Sequence, residues 1–273
     1  MPIITIYQGA SGEGQELAES LAEALGYRCV GRDEVLVEAS RRYRIPEAKL
    51  NAVVEKGPHW WERLLQDLRP YRTALQASLC ELAHDGKVVY HGHLGHELLS
   101  GIGHVLKVLL TAPIESRVGQ VRVRQSLTEA AARHYVEEVD KARSRRLMAM
   151  FGADWRDPNR YDLVLNMGKM SREGAKRLII EAAKLEEFQP TPASNQAFND
   201  LALGSRVLAT LFASHDVRGS ALEVRAEGGH IHVKGMVDYG SEDQVLRLIR
   251  NVPGVTKVTS DLYSPPPEGY LGP

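Results

Sequence analysis

The chain opens with a β-branched run that leads into three spaced glycines and then into a helical pattern. Ile3 to Tyr7 has the composition of a buried strand, and Gly9, Gly12 and Gly14 follow it. Glycine permits positive φ angles and a close approach of the backbone to a ligand. The helix after the glycines points its free N–H groups and its positive dipole end at the same place. The order predicts a loop that binds phosphate through main-chain atoms.

The loop keeps the spacing of the Walker A pattern but not all of its chemistry. Gly9 and Gly14 match the glycines of G-x-x-x-x-G-K-[ST]. Gln15 replaces the lysine that reaches the β- and γ-phosphates, and Glu16 replaces the hydroxyl that meets Mg²⁺. A tight strand-to-helix turn without a ligand is the alternative interpretation.

Length and composition favour a soluble protein of two domains. The chain has 273 residues and a formal net charge of −1, which gives no sign of nucleic-acid binding. No apolar run reaches the roughly 18 to 20 residues of a spanning helix, and no export signal is recognisable at the N-terminus, so we expect a cytoplasmic protein. Cys29 and Cys80 lie far apart in apolar surroundings, which favours reduced thiols over a disulfide or a metal site.

Strands and helices alternate over residues 1–187. Apolar runs near residues 27–30, 87–90, 104–110 and 161–166 read as strands, and helical periodicity separates them. Ser126 and Glu129 form a capping-box pattern that opens a long helix to about Met150. The predicted fold class is α/β, a P-loop kinase-like parallel sheet flanked by helices.

The composition changes after residue 187. Residues 188–197 read as a proline-rich linker, and residues 264–273, with four prolines, read as a disordered tail. Between them, residues 198–263 predict the order helix, strand, strand, helix, strand, in which Ser241 and Gln244 form a second capping box. We therefore expect a small α+β (αββαβ) C-terminal domain.

Several short motifs carry a resemblance to a known family. They are the glycine loop with Gln15-Glu16-Leu17-Ala18, Arg32 at a helix start, Val89-Tyr90-His91-Gly92, Ala112-Pro113-x-x-x-Arg117, Asp140-x-x-Arg143, and Phe151-Gly152-x-Asp154-Trp155-x-Asp157-Pro158-x-x-Tyr161. Through these motifs residues 1–187 resemble the cytidylate-kinase-like family, a branch of the P-loop nucleoside monophosphate kinases. The resemblance implies phosphoryl transfer from ATP to a nucleotide such as CMP, with ATP and Mg²⁺ as cofactors.

The resemblance also implies which residues act. It makes Arg117 and Arg143 catalytic residues of a lid that closes over the phosphates. Together with the glycine pattern it indicates these nucleotide-binding residues: Gly9, Ala10, Ser11, Gly12, Glu13, Gly14, Gln15, Glu16, Arg32, His91, Gly92 and Arg122.

The lid segment, residues 117–146, holds eight lysines and arginines against four acids. Phosphate binding is one interpretation, because phosphoryl transfer requires cations near the transferred group. The other is a solvated helix face with ion pairs such as Glu137 with Lys141, each worth about 0.2 to 0.5 kcal/mol. For the cluster as a whole, phosphate binding is the favoured interpretation. For any single arginine, an ion pair on a solvated helix face is favoured.

Three histidines, His91, His93 and His96, follow the predicted third strand. Only Glu97 accompanies them, so a ligand-facing loop is favoured over zinc, and we expect no protein-built metal site. By the resemblance, the acceptor nucleotide would lie near Arg32, with Arg41 or Arg42. Trp60 and Trp61 offer rings for base stacking, but such a pair is more often part of a core, and neither is assigned to the site.

The C-terminal third is similar to a BON domain, through Val233-x-Gly235 and Val252-Pro253-Gly254-Val255-x-x-Val258. In relatives such domains are linked to phospholipid or ligand binding. Residues 196–263 hold seven lysines and arginines against eight acids, which argues against attraction to anionic lipid. We expect an interaction or ligand-sensing module for an unidentified ligand or protein.

Two functions follow from the sequence. The first is a nucleoside monophosphate (cytidylate) kinase, which the retained lid arginines favour. The second is a catalytically inactive pseudokinase that senses nucleotide and signals through its BON-like domain, which the degenerate Walker A positions Gln15 and Glu16 favour.

Overall fold

A five-stranded parallel sheet forms the centre of the N-terminal part of the chain. The structure, a computed structural model, describes residues 1–9, 13–55, 68–92, 94–214 and 222–265. The strands of this sheet are β1 (Ile3–Gln8), β2 (Arg28–Gly31), β3 (Val88–His91), β4 (Val105–Thr111) and β5 (Leu163–Asn166). Their spatial order is β2-β3-β1-β4-β5, and every neighbouring pair is parallel. The predicted parallel α/β architecture is confirmed.

Helices cover both faces of this sheet. They are α1 (Glu13–Leu25), α2 (Arg32–Tyr43), α3 (Glu47–Glu55), α4 (Arg69–Leu82), α5 (Gly95–Leu98), α6 (Ile114–Gln125), α7 (Glu129–Phe151) and α8 (Arg172–Lys184). Alternate residues of β1 serve the two faces: Ile4 and Ile6 pack with α1 and α8, whereas Ile3 and Tyr7 pack with α2, α4 and α7. Strand β1 is buried on both faces from Ile3 to Tyr7, as in a parallel sheet that helices cover on both sides. Only its last residue, Gln8, is partly exposed.

A smaller mixed sheet follows. It consists of β6 (Glu223–Glu227), β7 (His230–Met236) and β8 (Lys257–Tyr263), with β6 and β7 antiparallel and β7 and β8 parallel. The helices α9 (Pro192–Ala213) and α10 (Glu242–Arg250) complete the predicted αββαβ order. Gly228 and Gly229 both have positive φ, as a two-residue turn between antiparallel strands requires. Within the described ranges no helix is both long and apolar enough to cross a membrane.

Helix α9 belongs to two hydrophobic cores. Phe198 and Ala209 are buried with residues of α2 and α4, whereas Val207 and Leu211 are buried against the small sheet. The sequence predicted a linker up to residue 197, but residues 192–197 are the first turns of this helix. Thr191 and Ser194 form a capping box and Pro192 occupies the first helical turn, where proline starts a helix instead of ending one.

Two predicted caps are wrong. Ser126 is the left-handed residue that ends α6, with φ of 54°, and Thr128 caps α7 by accepting a hydrogen bond from the amide of Ala131. Ser241 makes no side-chain cap; its hydroxyl donates to the carbonyl of Asp238. In the first case Thr128 caps the helix in place of Ser126. In the second case Ser241 bonds to a nearby carbonyl instead of to the amides of the helix. Of the predicted tail, residues 266–273 lie outside the described ranges.

Candidate nucleotide-binding site

The candidate site lies at the carboxyl end of β1, where Gly9 follows the strand and α1 begins at Glu13. Ala10, Ser11 and Gly12 fall outside the described residues. A Cβ atom on Gly9 would lie 3.0 Å from Nη1 of Arg117 and 3.7 Å from the ring of Trp155. Glycine at this position therefore lets side chains of two distant segments meet the backbone at the start of the loop.

Gly14, in the first turn of α1, is equally constrained. A Cβ there would overlap the side-chain amide oxygen of Gln8. The side chain of Gln8, the last residue of β1, thus lies over the first turn of the helix. A side chain at position 9 or 14 would have to displace the end of Arg117 or Gln8, respectively.

Arg117, in the first turns of α6, points at the loop. Its Nη1 donates to Oδ2 of Asp140 across 2.6 Å, and both side chains are largely buried. The Nε of Arg117 is buried and has no hydrogen-bond partner. A buried N–H donor without a partner costs free energy, so the guanidinium of Arg117, whose Nη1 lies beside Gly9, retains a donor for an anion.

Arg143, on α7, reaches the same place from the other side. Its Nη1 donates to the main-chain carbonyl of Gln8 across 2.5 Å. Burial lowers the pKa of Arg143, and the nearby Tyr7 and Asp140 oppose that effect. A guanidinium remains charged at neutral pH even so. The structure therefore brings both predicted catalytic residues, Arg117 and Arg143, to the start of the loop.

The other basic residues of the lid segment differ from one another in burial and in their partners. Arg146 is buried with 3 % exposure, which excludes a fully solvated helix face. Lys141 pairs with Glu138 at 2.9 Å, and not with Glu137 as the spacing suggested. Arg122 is exposed, five residues beyond Arg117 on α6.

An aromatic cluster packs around Tyr7, two residues before Gly9. Tyr7 packs against Trp155 with ring centroids 5.5 Å apart and against the ring of His96 at 5.1 Å. Tyr161 donates from its hydroxyl to the carbonyl of Trp155 at 2.9 Å. Burial lowers the pKa of His96 to about 3, so this ring is neutral at physiological pH. His96 is thus a core residue, and its role in the cluster is packing.

A cavity of about 710 Å³ opens beside Arg117 over the ends of β4 and β5. Trp155 and Leu109 form apolar walls, and Ser144 accepts a hydrogen bond from Nε1 of Trp155 at 2.9 Å. Lys141, Arg145 and Arg156 also line the cavity, together with Glu137 and Asp140. A volume of this size holds a small organic ligand.

The second side of the site lies at the ends of β2 and β3. Arg32 opens α2 and pairs with Asp33 at 2.7 Å. Burial lowers the pKa of His91, whose ring lies close to Gly31. The amide of Gly92 donates to the carbonyl of Ile6 at 3.2 Å, which ties the end of β3 to β1. These residues lie at the carboxyl end of the same parallel sheet as Gly9, where ligands bind in folds of this kind.

The two degenerate Walker positions are occupied by internal contacts. Gln15 is exposed and donates from Nε2 to Glu19 at 2.9 Å. Glu16 pairs with Arg124 of α6 at 3.1 Å and with Arg172 of α8. Glu16 thereby joins three helices at the base of the loop.

The arginines considered for the acceptor side have structural partners. Arg41 and Arg42 both bind Glu38, and Arg42 also pairs with Glu81 of α4 at 3.0 Å. Trp60, Trp61 and His93 lie outside the described residues. Among the residues that the structure describes, no three His, Cys, Asp or Glu side chains gather as a metal site.

Sequence reasoning did not assign Asp140, Trp155 or Gln8 to the site. Asp140 and Trp155 stood only within motifs of the resemblance, and Gln8 contributes its main-chain carbonyl and its bulk. The spacing of Asp140 and Arg143 was the one local signal, because residues three apart share a helix face.

The N-terminal part of the chain is similar to known proteins. Residues 3–169 match the model of the cytidylate kinase-like family. The cytidylate kinase of Methanopyrus kandleri is 28 % identical over 180 residues, covering 63 % of this chain and 87 % of the relative. That of Staphylothermus marinus is 26 % identical over 180 residues, covering 66 % and 95 %.

A solved structure of an uncharacterized protein from Eubacterium ventriosum shares the fold. Its TM-score is 0.53 at 17 % identity, covering 67 % of this chain and 97 % of that protein. The family match spans the glycine loop, the five parallel strands and the lid, and it ends before α8 and the C-terminal unit. The chain therefore belongs to the cytidylate kinase-like family and has a P-loop kinase fold of the nucleotide kinase type.

Proposed function

We propose that the protein binds ATP at the loop from Gly9 to Gly14 and transfers its terminal phosphoryl group to a nucleoside monophosphate such as CMP. The observation that carries the proposal is the meeting of Arg117 and Arg143 at Gly9, with the buried Nε of Arg117 lacking a partner. Phosphoryl transfer needs positioning and charge stabilisation more than covalent chemistry, and these groups supply both.

In this proposal each residue has a separate task. The N–H groups at the start of α1 bind phosphate oxygens, and Arg117 offers its unpartnered Nε to the transferred group. Asp140 keeps the guanidinium of Arg117 oriented through the 2.6 Å bond. Arg143 adds a second positive charge and fixes the backbone at Gln8.

The residues fit ATP better than they fit Mg²⁺. The loop and the cavity of about 710 Å³ suit a nucleotide. At the usual position of the magnesium-binding hydroxyl, the carboxylate of Glu16 is engaged by Arg124 and Arg172. Mg²⁺ therefore enters the proposal only as a counter-ion of the nucleotide phosphates, which is its usual mode of binding.

The acceptor would bind on the β2 and β3 side of the loop. Arg32 supplies the cation for its phosphate, and His91 and Gly92 form the adjoining strand end. Its binding beside the loop would place an acceptor oxygen near the γ-phosphate. The named relatives are cytidylate kinases, which supports CMP as the first acceptor to test.

The competing function is a nucleotide sensor without turnover. Gln15 offers a neutral amide that is bonded to Glu19, and Glu16 is committed to two arginines, so both Walker contacts are lost. Such a pseudokinase would signal through the C-terminal unit, which we interpret as a BON-like interaction module. In either role the cytoplasm, where nucleotides are abundant, is the compartment that we propose.

One experiment separates the two functions. ADP release is followed in a coupled assay with ATP, Mg²⁺ and each common nucleoside monophosphate, while calorimetry measures ATP binding under the same conditions. Turnover that is lost in Arg117→Gln supports the kinase. ATP binding without turnover supports the sensor, and the absence of both refutes the two together.

A further inference from the structure

A second cleft, remote from the glycine loop, lies between the two halves of the chain. Its volume is about 720 Å³. Helix α4 and residues 100–102 form one wall, and α9, β6 and β7 form the other. Small-molecule sites have volumes of roughly 300 to 1,000 Å³ and occur preferentially where domains meet. We propose that this cleft binds a small organic anion with an apolar body.

The apolar part of the cleft is built by close packing of α9 on β6. Ile102, Leu201, Leu208 and Val224 line it. Gly204 lies against β6, where a Cβ would make an ordinary contact of 3.6 Å with the Cβ of Ala226. An apolar body would bury its surface against these side chains, which stabilises binding without directional bonds.

Two arginines line the cleft, and in this proposal their guanidinium groups would supply the anion contacts. Arg72, on α4, uses Nη1 for one bond of 3.0 Å to the carbonyl of Met150, and a guanidinium has five N–H donors. Arg225 lies on the exposed side of β6, in register with His232 of β7. Planar guanidinium groups bind carboxylate, sulfonate and phosphate oxygens in pairs.

The other charged groups of the cleft already have roles or lie at its margin. Asp200 accepts at one oxygen from the amide of Gly228 and from Gln196, both within 2.9 Å. Glu227 is exposed at the end of β6. His230 and His232 share the hydroxyl of Thr259. The two histidines and one oxygen of Asp200 are thus engaged within the protein, and the proposal assigns the ligand contacts to Arg72 and Arg225.

A ligand in this cleft would also contact Arg72, the residue that holds the end of the lid helix α7. Arg72 holds the last turn of α7 through Met150 and lies over the ring of Phe151 at 5.7 Å. The same helix carries Asp140 and Arg143, which meet the glycine loop. A ligand bound to Arg72 would thus be connected to the nucleotide site through a single helix, α7.

The test uses the full chain and the dye 1-anilinonaphthalene-8-sulfonate, an aromatic sulfonate that fluoresces in apolar sites. We expect saturable binding of one molecule per chain when ATP, which the proposed function places at the loop and lid cavity, is present in excess. Arg225→Gln should weaken it about tenfold, since a charge-assisted hydrogen bond is lost. Ala197→Trp, an exposed change at the rim of the cleft, should abolish it.

Two control variants and one check of folding test whether the dye binds in this cleft. Asn195→Trp, exposed on another face of α9, is the matched control and should bind like the parent. Arg145→Gln, in the lid cavity, should also leave dye binding unchanged. Near-ultraviolet circular dichroism verifies that each variant is folded. Absence of saturable binding, survival of binding in Ala197→Trp and Arg225→Gln, or its loss in Arg145→Gln would each overturn the proposal.

Discussion

Arg143 donates a hydrogen bond of 2.5 Å to the main-chain carbonyl of Gln8, which fastens α7 to the residue that precedes the glycine loop. One side chain thereby fixes the position of the lid helix and places a positive charge at the loop. Affinity and stability should both respond when it is changed, because the guanidinium is largely buried.

We expect Arg143→Gln to weaken ATP binding about tenfold and to lower the free energy of unfolding by about 1 to 3 kcal/mol, because a charge-assisted bond is lost and the Gln8 carbonyl is left buried. Calorimetry and urea denaturation measure the two effects. The control is Arg133→Gln, a half-buried cation on the same helix that pairs with Glu115 at 3.9 Å. Equal weakening by both variants would mean that only the general charge of α7 matters.

Position 15 tests the loop itself. Gln15→Lys should tighten ATP binding more than ADP binding, because a lysine there would reach the β- and γ-phosphates and charged donors bind about twice as strongly as neutral ones. Gly14→Val should abolish binding, because its side chain would block the close approach of the backbone to the phosphates. Titrations of both nucleotides at fixed salt and Mg²⁺ give the comparison. No gain from Gln15→Lys, together with no binding by the parent, would make the loop only a turn.

The protein should lose stability in mild acid because of His96. Its pKa is lowered to about 3 in the folded chain and is about 6.5 when unfolded, so the unfolded state binds more protons between these values. Stability is therefore complete above pH 6.5 and falls as the pH is lowered, by about 2 kcal/mol at pH 5. Urea denaturation at several pH values measures the slope.

The matched variants for this prediction are His96→Leu and His84→Gln. The first should flatten the acid slope, although half-buried His91 and buried His104, whose pKa values are also lowered by desolvation, keep part of it. The second removes an exposed histidine and should leave the slope as it is. An unchanged slope in His96→Leu would contradict the assignment.

Because α9 contributes to both cores, we expect the described N- and C-terminal parts to unfold in one thermal transition. Phe198→Ala should cost about 3 to 5 kcal/mol and should expose residues 188–197 to proteases, since it removes a buried ring that holds α9 on α4. Leu178→Ala, at an exposed site on α8, is the control. Two separate transitions in the parent would show that the cores are independent.

The sequence predicted the parallel sheet because its strands are short apolar runs that alternate with helices, a pattern that leaves few other architectures. It did not predict that Arg143 and Arg146 are buried, because a helix with many charges has the same composition whether it is solvated or covers a loop. Asp140 escaped assignment for a similar reason: its partner Arg117 is 23 residues away, and no local pattern joins them.

The C-terminal boundary was misread at Pro192 for a different reason. Proline in a polar segment is typical of linkers and of helix starts, and only the reciprocal bonds of Thr191 and Ser194 distinguish the two. The contact between His104 and Ser194, at 2.9 Å, joins segments 90 residues apart and could not be read from periodicity. Long-range pairing of this kind is what the amino-acid pattern alone does not encode.

The double membership of α9 has a consequence for any shortened form of this protein. If the chain ended at residue 190, the surface of α4 that receives Phe198 and Ala209 would be exposed to water, although every residue of the glycine loop and lid were still present. A newly exposed apolar surface promotes association between molecules. We therefore expect a chain that ends at residue 190 to associate with itself through this surface of α4, unlike the full chain.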